Sequence, residues 1–543
     1  MEIQSVSNPP TSHFVKSYLT NNIDVDKYFD YDIHDSAVFQ KRQVDLLSRS
    51  FPRVALTEHL LSYNKRFQCH EKTIDNINRL KDPNSVVVIG GQQAGILTGP
   101  LYTIHKLISI IKLAQQQEKL LQTPVIPVFW IAGEDHDFAE INHLFTSQKY
   151  QIKKKSIPQR EVFKKSVSDI EIDKEACFNW IEEVFQSYKE TNFTNDILFN
   201  LKKKLDDPTI LTYVDFFAAI IIELFKEYGI VLLDSGSKEL RKIESEFLYK
   251  LVVESKNIRD ALLFQHHNLQ NDGFKRVIET SEYSANLFFH FDHERVLLEY
   301  FPESRIFKDK NNECEFTMEE LTDIALTSPE KLSNNVVTRP LMQEFLFPTL
   351  AFISGPGEIA YWAELKKVFG LFDLKMPPVV PRFNITVLER DIEADMRELG
   401  ISFSEGLKGT AQLRENWLRE KTENRFEEAV VKTQGEVELL HSQLRLMALD
   451  VDRSLEPLLH KNAKLIQSQF EFLKATINKR VETQYQTELN KFLRVELSLF
   501  PNNSPQERIW NLFYYINKYG FSFVKDLMEL PYEFNHDHKI IKV

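Results

Sequence analysis

Cysteine is scarce in this chain. Its 543 residues include three, Cys69, Cys177 and Cys314, widely separated and without a CxxC pair. That usage excludes a disulfide framework and a Cys-rich zinc site, and it is the usage of a cytoplasmic protein. Long apolar runs are missing as well. The longest, Phe216 to Ile222, ends at Glu223, far short of the roughly 20 residues that a membrane span needs. The start of the sequence, Met1-Glu2-Ile3-Gln4-Ser5, has neither the basic nor the apolar region of a secretory signal. Basic charge is not in excess: 67 Lys and Arg face 79 Asp and Glu, a formal charge of −12. This argues against a broad nucleic-acid surface. Neither a membrane nor a nucleic acid is expected as a partner.

What is present is enough apolar material (43%) and aromatic material (12%) for more than one core. The most informative stretch is Val86 to His143. Val86-Val87-Val88-Ile89 runs into Gly90-Gly91-Gln92-Gln93-Ala94-Gly95 and then Thr98-Gly99-Pro100-Leu101-Tyr102. Pro127-Val128-Phe129-Trp130-Ile131 runs into Gly133-Glu134-Asp135-His136-Asp137. A short apolar strand entering a glycine or charge cluster and then a helix is how an α/β sheet presents a site at its carboxyl edge.

Strand patterns recur at 86–89, 126–131, 230–234, 349–354 and 378–381, with helical patterns after most of them. The alternation predicts an α/β fold, a Rossmann-like doubly wound parallel sheet. The expected organisation has N-terminal helices and the first part of the core in 1–144, and a first insertion in 145–210. The core continues in 211–257, a second insertion occupies 258–335, the core is completed in 336–395, and a helical coiled-coil region fills 396–543. Between Thr422 and Leu499 there is one Pro, Pro457, and one Gly, Gly435. Val430, Val437, Leu440, Leu444, Met447 and Val451 step as a heptad seam, and Leu465, Phe470, Leu473, Ile477, Val481, Leu489 and Phe492 form a second series. The reading is an antiparallel helical hairpin turning near 452–458, with a homodimer held through residues 424–498.

Several residues carry candidate chemistry. Gly91, Gln92, Gln93, Gly95, Thr98 and Gly99 form a loop suited to phosphates or to a tight turn, although it is neither a GxGxxG nor a Walker A sequence. Tyr102 and His105 share a helix face, and His105 can meet phosphate charge or simply sit in the core. Glu134, Asp135, His136 and Asp137 are candidates for ammonium binding and general base work. Glu140 and His143 continue that series; if the segment is helical, His136 and His143 lie too far apart to share one metal ion. Ser235 and Gly236 form a third loop. In a fourth, Gly355-Pro356-Gly357 delivers Glu358 to a helix start, as a dipole partner or a ligand contact, followed by Tyr361 and Trp362.

These motifs, with Asn335-Val336-Val337, Arg339-Pro340-Leu341 and Gln506-Glu507-Arg508, closely resemble the bacillithiol-biosynthesis cysteine-adding enzyme family along nearly the whole chain. The resemblance implies a ligase that adds cysteine to the amino group of glucosaminyl-malate. It also implies a core similar to class I aminoacyl-tRNA synthetases, with two connecting insertions and a C-terminal coiled coil. On that analogy Tyr102-Thr103-Ile104-His105 lies where the HIGH motif lies and keeps only the second His; no KMSKS motif and no zinc-ligand set is recognisable. ATP is the implied activating co-substrate, held by the Gly91–Gly99 loop, Tyr102, Ser235, Gly236, Gly355 and Gly357. His105 and Glu134 to Asp137 would be catalytic. Asn142, His143, Arg339, Glu358, Tyr361 and Trp362 would contact substrate, with Arg339 a candidate for the malate carboxylates or for a structural ion pair. The alternative is a non-catalytic nucleotide-binding scaffold that assembles other thiol-pathway enzymes.

Overall fold

The computed structural model describes every residue except 9, 162 and 422–424, and the backbone alone at 425–427. The chain divides into two compact units, Met1–Thr386 with Glu507–Ile541, and Val387–Gln506 with Lys542–Val543.

The first unit is built on a parallel sheet of β1 (Val86–Gln92), β2 (Val125–Ile131), β3 (Val231–Asp234), β4 (Thr349–Ser354) and β5 (Val379–Pro381). Their spatial order is β5-β4-β1-β2-β3. The order reverses between β1 and β4, which is where an open α/β sheet leaves a crevice for ligands. Val86 to Ile89 and Val125 to Ile131 are buried on both faces, which explains their unbroken apolar runs. Gly91 pairs with Trp130, and Ile131 with Asp234, so β1, β2 and β3 end side by side at one edge. Three helices start from that edge: α1 (Tyr102–Leu121), α2 (Lys238–Val253) and α3 (Pro356–Trp362).

Two interruptions break the alternation. Between β2 and β3 come the antiparallel hairpin His143–Gln148 with Gln151–Ser156 and the helices Lys174–Tyr188 and Thr194–Asp206. Between β3 and β4 lies a five-stranded antiparallel sheet that includes Ser284–Phe291 paired with Glu294–Phe301.

The second unit carries α4 (Arg425–Val451), α5 (Glu456–Gln484) and α6 (Gln486–Leu499). Asp452 caps the intervening turn by accepting from the Ser454 amide at 2.8 Å, and Pro457 stands in the first turn of α5. The heptad series does not close this hairpin, contrary to expectation. Leu440, Leu444, Met447 and Val451 are 62%, 62%, 67% and 84% exposed. The facing side is polar, with His441 Nε2 on Asn462 Oδ1 at 2.8 Å and Arg445 on His441 and Glu438. A seven-residue step selects one helix face but not the neighbour that the face meets. Residue 424, where the expected dimer interface begins, lies outside the described residues. Among the described residues no helix is long and apolar enough to cross a membrane.

Candidate functional site

The loop after β1 is tightly wound. A Cβ on Gly95 would lie 2.6 Å from the Gly99 Cα, and Gly99 has φ +66°, so glycine is required at both. Leu97 (φ 49°) and Thr98 (φ 75°) are also left-handed, a strained pair of non-glycine residues. Asn511 holds them by donating to the carbonyls of Leu97 (2.7 Å) and Gly99 (2.6 Å). Thr98 is fully buried. Gln92 Oε1 accepts from Lys106 at 3.3 Å, and Gln93 Nε2 donates to Asp135 at 2.7 Å, so the two amides bridge to different neighbours.

The crevice between β1 and β4 holds a buried lysine. Lys106 Nζ donates to the Gly91 carbonyl and to Glu358 Oε2, each at 2.6 Å. Burial lowers the Lys106 pKa, opposed by Glu358. Glu358 also accepts from the Gly355 amide at 2.6 Å, so it caps α3 and neutralises Lys106 together. Arg339 donates to Tyr361 Oη at 3.2 Å and to Gln343 at 3.1 Å. Trp362 is wholly buried and stacks on Phe352 at 4.4 Å, a packing role.

His105 lies one position before that lysine and faces inward. It is 2% exposed, and its Nδ1 lies 2.9 Å from Glu507 Oε2. Glu507 also accepts two bonds from Arg382, at 2.7 and 2.6 Å. Burial alone would raise Glu507, but Arg382 and His105 hold it well below the usual carboxylate range. Burial lowers His105, so the neutral ring donates its Nδ1–H to Glu507. Tyr102 lies beneath Arg382, 5.9 Å from guanidinium to ring.

After β2 the four adjacent titratable residues have four different environments. Glu134 is buried and accepts from Arg241 at 2.5 Å and from the Asn334 amide at 3.2 Å. Arg241 also pairs with Glu244 and donates to the Ser235 carbonyl at 2.6 Å. Two carboxylates thus share one guanidinium, and burial pushes Glu244 up to about 7. Beneath them Asp234 is pushed up by burial to about 6, although Ser168 Oγ (2.8 Å) and the Gly236 amide (2.9 Å) donate to it. A Cβ on Gly133 would strike Asp234 and Ser168 at 2.1 Å, which explains that glycine.

Asp135 accepts from Gln93 and from the His136 amide (2.8 Å), and its side chain is 35% exposed. His136 Nδ1 lies 3.1 Å from Arg295 Nη1, and Arg295 can only donate. Burial, then Arg295, lowers His136, so its ring is neutral and carries its proton on Nε2. Arg295 itself is buried, donates to Ser333 Oγ at 2.9 Å, and lies 3.7 Å over the Phe288 ring; burial lowers it to about 10. Asp137 is exposed and caps a single turn, Phe138–Ile141, by accepting from the Glu140 amide at 3.3 Å. His143 begins a strand after Asn142, so the conditional stripe of His136, Glu140 and His143 does not form. Charge density marked the segment, but one helical turn followed by a hairpin disperses its side chains.

Sequence reasoning missed Lys106, Arg241, Arg295, Arg382 and Asn511. Each makes a contact with a residue far away in sequence, and although Glu244 stands three positions after Arg241, no local spacing signals the pairing with Glu134. Among the described residues no group of three or more His, Cys, Asp or Glu is placed to hold a metal ion.

Two sequence profiles divide the chain between them. The N-terminal Rossmann-like domain of bacillithiol biosynthesis BshC matches residues 1–383, and the C-terminal coiled-coil domain of the same family matches 385–543. A protein named "Putative cysteine ligase BshC" from Geobacillus sp. (strain WCH70) is 46% identical over 544 residues. Proteins of the same name from Geobacillus thermodenitrificans (strain NG80-2) and Bacillus cytotoxicus (strain DSM 22905 / CIP 110041 / 391-98 / NVH 391-98) are 43% and 44% identical. Each of the three alignments covers 100% of both chains.

Proposed function

Since the chain belongs to the bacillithiol-biosynthesis BshC family, we propose that it is a ligase that joins the carboxyl group of cysteine to the amino group of glucosaminyl-malate, with ATP as co-substrate. The observation that carries the reading is the pairing, at the carboxyl end of β2, of a carboxylate with a neutral histidine N–H donor. Amide formation needs both an acceptor for the attacking amine's proton and a donor for the acyl oxygen. Asp135 supplies the first, because its half-exposed carboxylate retains lone pairs for an ammonium group. His136 supplies the second. With Arg295 bonded to Nδ1, the ring offers an Nε2–H rather than a base, which refines the general-base role expected from sequence.

The residues at the switch point suit a nucleotide. The loop from Gly91 to Gly99 closes one side, and at Gly357 a Cβ would meet nothing within 4 Å, leaving room at the start of α3. Lys106 sits between the two loops. ATP supplies the conversion of a carboxylate oxygen into a leaving group. His105, Arg382 and Glu507 brace the start of α1 from behind. Glu134 fixes Arg241 and the Asn334 backbone, so it shapes the site rather than reacting. We place the reaction in the cytoplasm and the working form in a homodimer, for which the exposed apolar faces of α4 and α5 are the supporting observation.

The test is nucleotide turnover by the purified protein. The reading expects consumption of ATP that requires cysteine and rises with glucosaminyl-malate. Turnover indifferent to both, or none, would instead fit the scaffold alternative.

A further inference from the structure

A second concave site opens beside the catalytic loop. A cavity of about 410 Å³ lies where β2 and β3 end, bordered by Glu134 and Gly236 of the core. Lys165 comes from the first insertion, and His290, His293, Glu330 and Lys331 come from the second. The volume is in the range of small-molecule sites.

Not all of its charges are paired within the protein. Arg241 is occupied by Glu134 and Glu244, and Lys238 lies 3.7 Å from Asp169. Among the described residues Lys165 and Lys331 pair with no carboxylate, and Glu330 pairs with no cation. The 16-residue helix α2 starts at this cavity, and the side chain of its N-cap, Ser237, makes no capping bond. Ser237 Oγ donates instead to Glu239 Oε2 at 3.0 Å, and the Glu239 carboxylate already complements the first turn, so the attraction for an outside anion rests on the two lysines.

One wall is strained. Phe291 pairs with Glu294 across a two-residue turn, Asp292-His293, with φ of 44° and 69°. Such turns favour glycine at the second position. A histidine stands there instead, and it lines the cavity. His290 stands beside it with Nε2 on Ser333 Oγ at 3.2 Å. Burial, then Arg295, lowers it to about 4, so it is a neutral hydrogen-bonding wall.

We propose that this cavity is the acceptor pocket, and that it holds the dicarboxylate end of the amino sugar between Lys165 and Lys331. The assignment rests on the ligase reading and adds to it the location of one substrate. It places the malate carboxylates here rather than on Arg339, which is bonded to Tyr361 and Gln343. Each insertion then contributes one lysine to specificity.

Calorimetric titration of the full-length protein with glucosaminyl-malate, without ATP or cysteine, tests this. Wild type is expected to bind it, and to bind the methyl glycoside of glucosamine, which lacks malate, at least tenfold more weakly. The double variant Lys165→Ala/Lys331→Ala should lose at least tenfold in affinity for glucosaminyl-malate with an unchanged melt, since neither side chain makes an ion pair. His293→Gly should melt at or above wild type and still bind more weakly. Wild-type affinity in the double variant would overturn the cavity assignment while leaving the ligase reading intact. Failure of wild type to bind glucosaminyl-malate would overturn the ligase reading, and this inference with it.

Discussion

His105 and Glu507 stand 402 positions apart in the chain, yet share a buried hydrogen bond of 2.9 Å. Through it and Arg382, the segment after the coiled coil returns to brace helix α1 of the parallel-sheet core. Glu507→Ala would leave Arg382 as a buried charge without its carboxylate, a loss of about 3–5 kcal/mol. Glu507→Gln, which keeps the shape and one acceptor, should cost less. Urea unfolding of the two variants checks the order, and equal midpoints would contradict the brace.

His136 is read as a neutral donor, which separates its substitutions. His136→Gln, with an N–H donor of similar reach, should retain measurable product formation. His136→Ala should lose at least a hundredfold, about 2.7 kcal/mol of transition-state stabilisation. Both should melt within a few degrees of wild type. Equal activity of the two variants would remove the donor role.

The same residue gives a pH prediction. Burial and Arg295 lower its pKa, so wild-type activity should persist below the ordinary histidine range before protonation ends it. Arg295→Met removes a cation that disfavours the imidazolium, so His136 rises and the acid limb of the rate profile moves to higher pH. An unmoved limb would show that another group sets it.

Glu244 provides a stability test. Its folded pKa, about 7, is raised above the ordinary value near 4.3, so between those values the folded state holds a proton that the unfolded state releases. Stability should therefore fall as pH rises through that window, by up to about 1.4 kcal/mol per unit. Glu244→Gln should abolish that fall and gain most over wild type near pH 8. A variant whose advantage is equal at pH 5 and pH 8 would contradict a Glu244 carboxyl raised by burial.

The helical hairpin leaves Leu444 on α4 and Phe472 on α5 62% and 67% exposed. Leu444→Lys/Phe472→Lys should therefore leave the hairpin helical and dissociate the dimer. This reverses the placement that the heptad series suggested, with Leu444 in the seam of the hairpin. Sedimentation and circular dichroism decide it; a dimeric double variant, or a monomeric wild type, would refute the interface.

How far the sequence could be read follows from the range of each interaction. The parallel core was legible because Val86–Ile89 and Phe129–Ile131 are buried on both faces and so carry continuous apolar runs. The site's edge was legible because glycine and charge collect where such strands end. The partners were not. Nothing near Glu134 announces Arg241, and nothing near His136 announces Arg295, since both arrive through folding of distant segments. The heptad stripe was legible as a stripe, but its covering surface was not, because periodicity fixes a face and not a neighbour.

The central claim is that cysteine's carboxylate is activated at the switch point and then captured by the sugar amine. Cysteine labelled with heavy oxygen in its carboxylate, incubated with the protein, ATP and glucosaminyl-malate, tests it most directly by mass spectrometry of the nucleotide and phosphate products. The account predicts label in the phosphorus-bearing product that leaves the acyl group, in proportion to the thiol formed. Thiol formed with no label in any phosphorus-bearing product would contradict it.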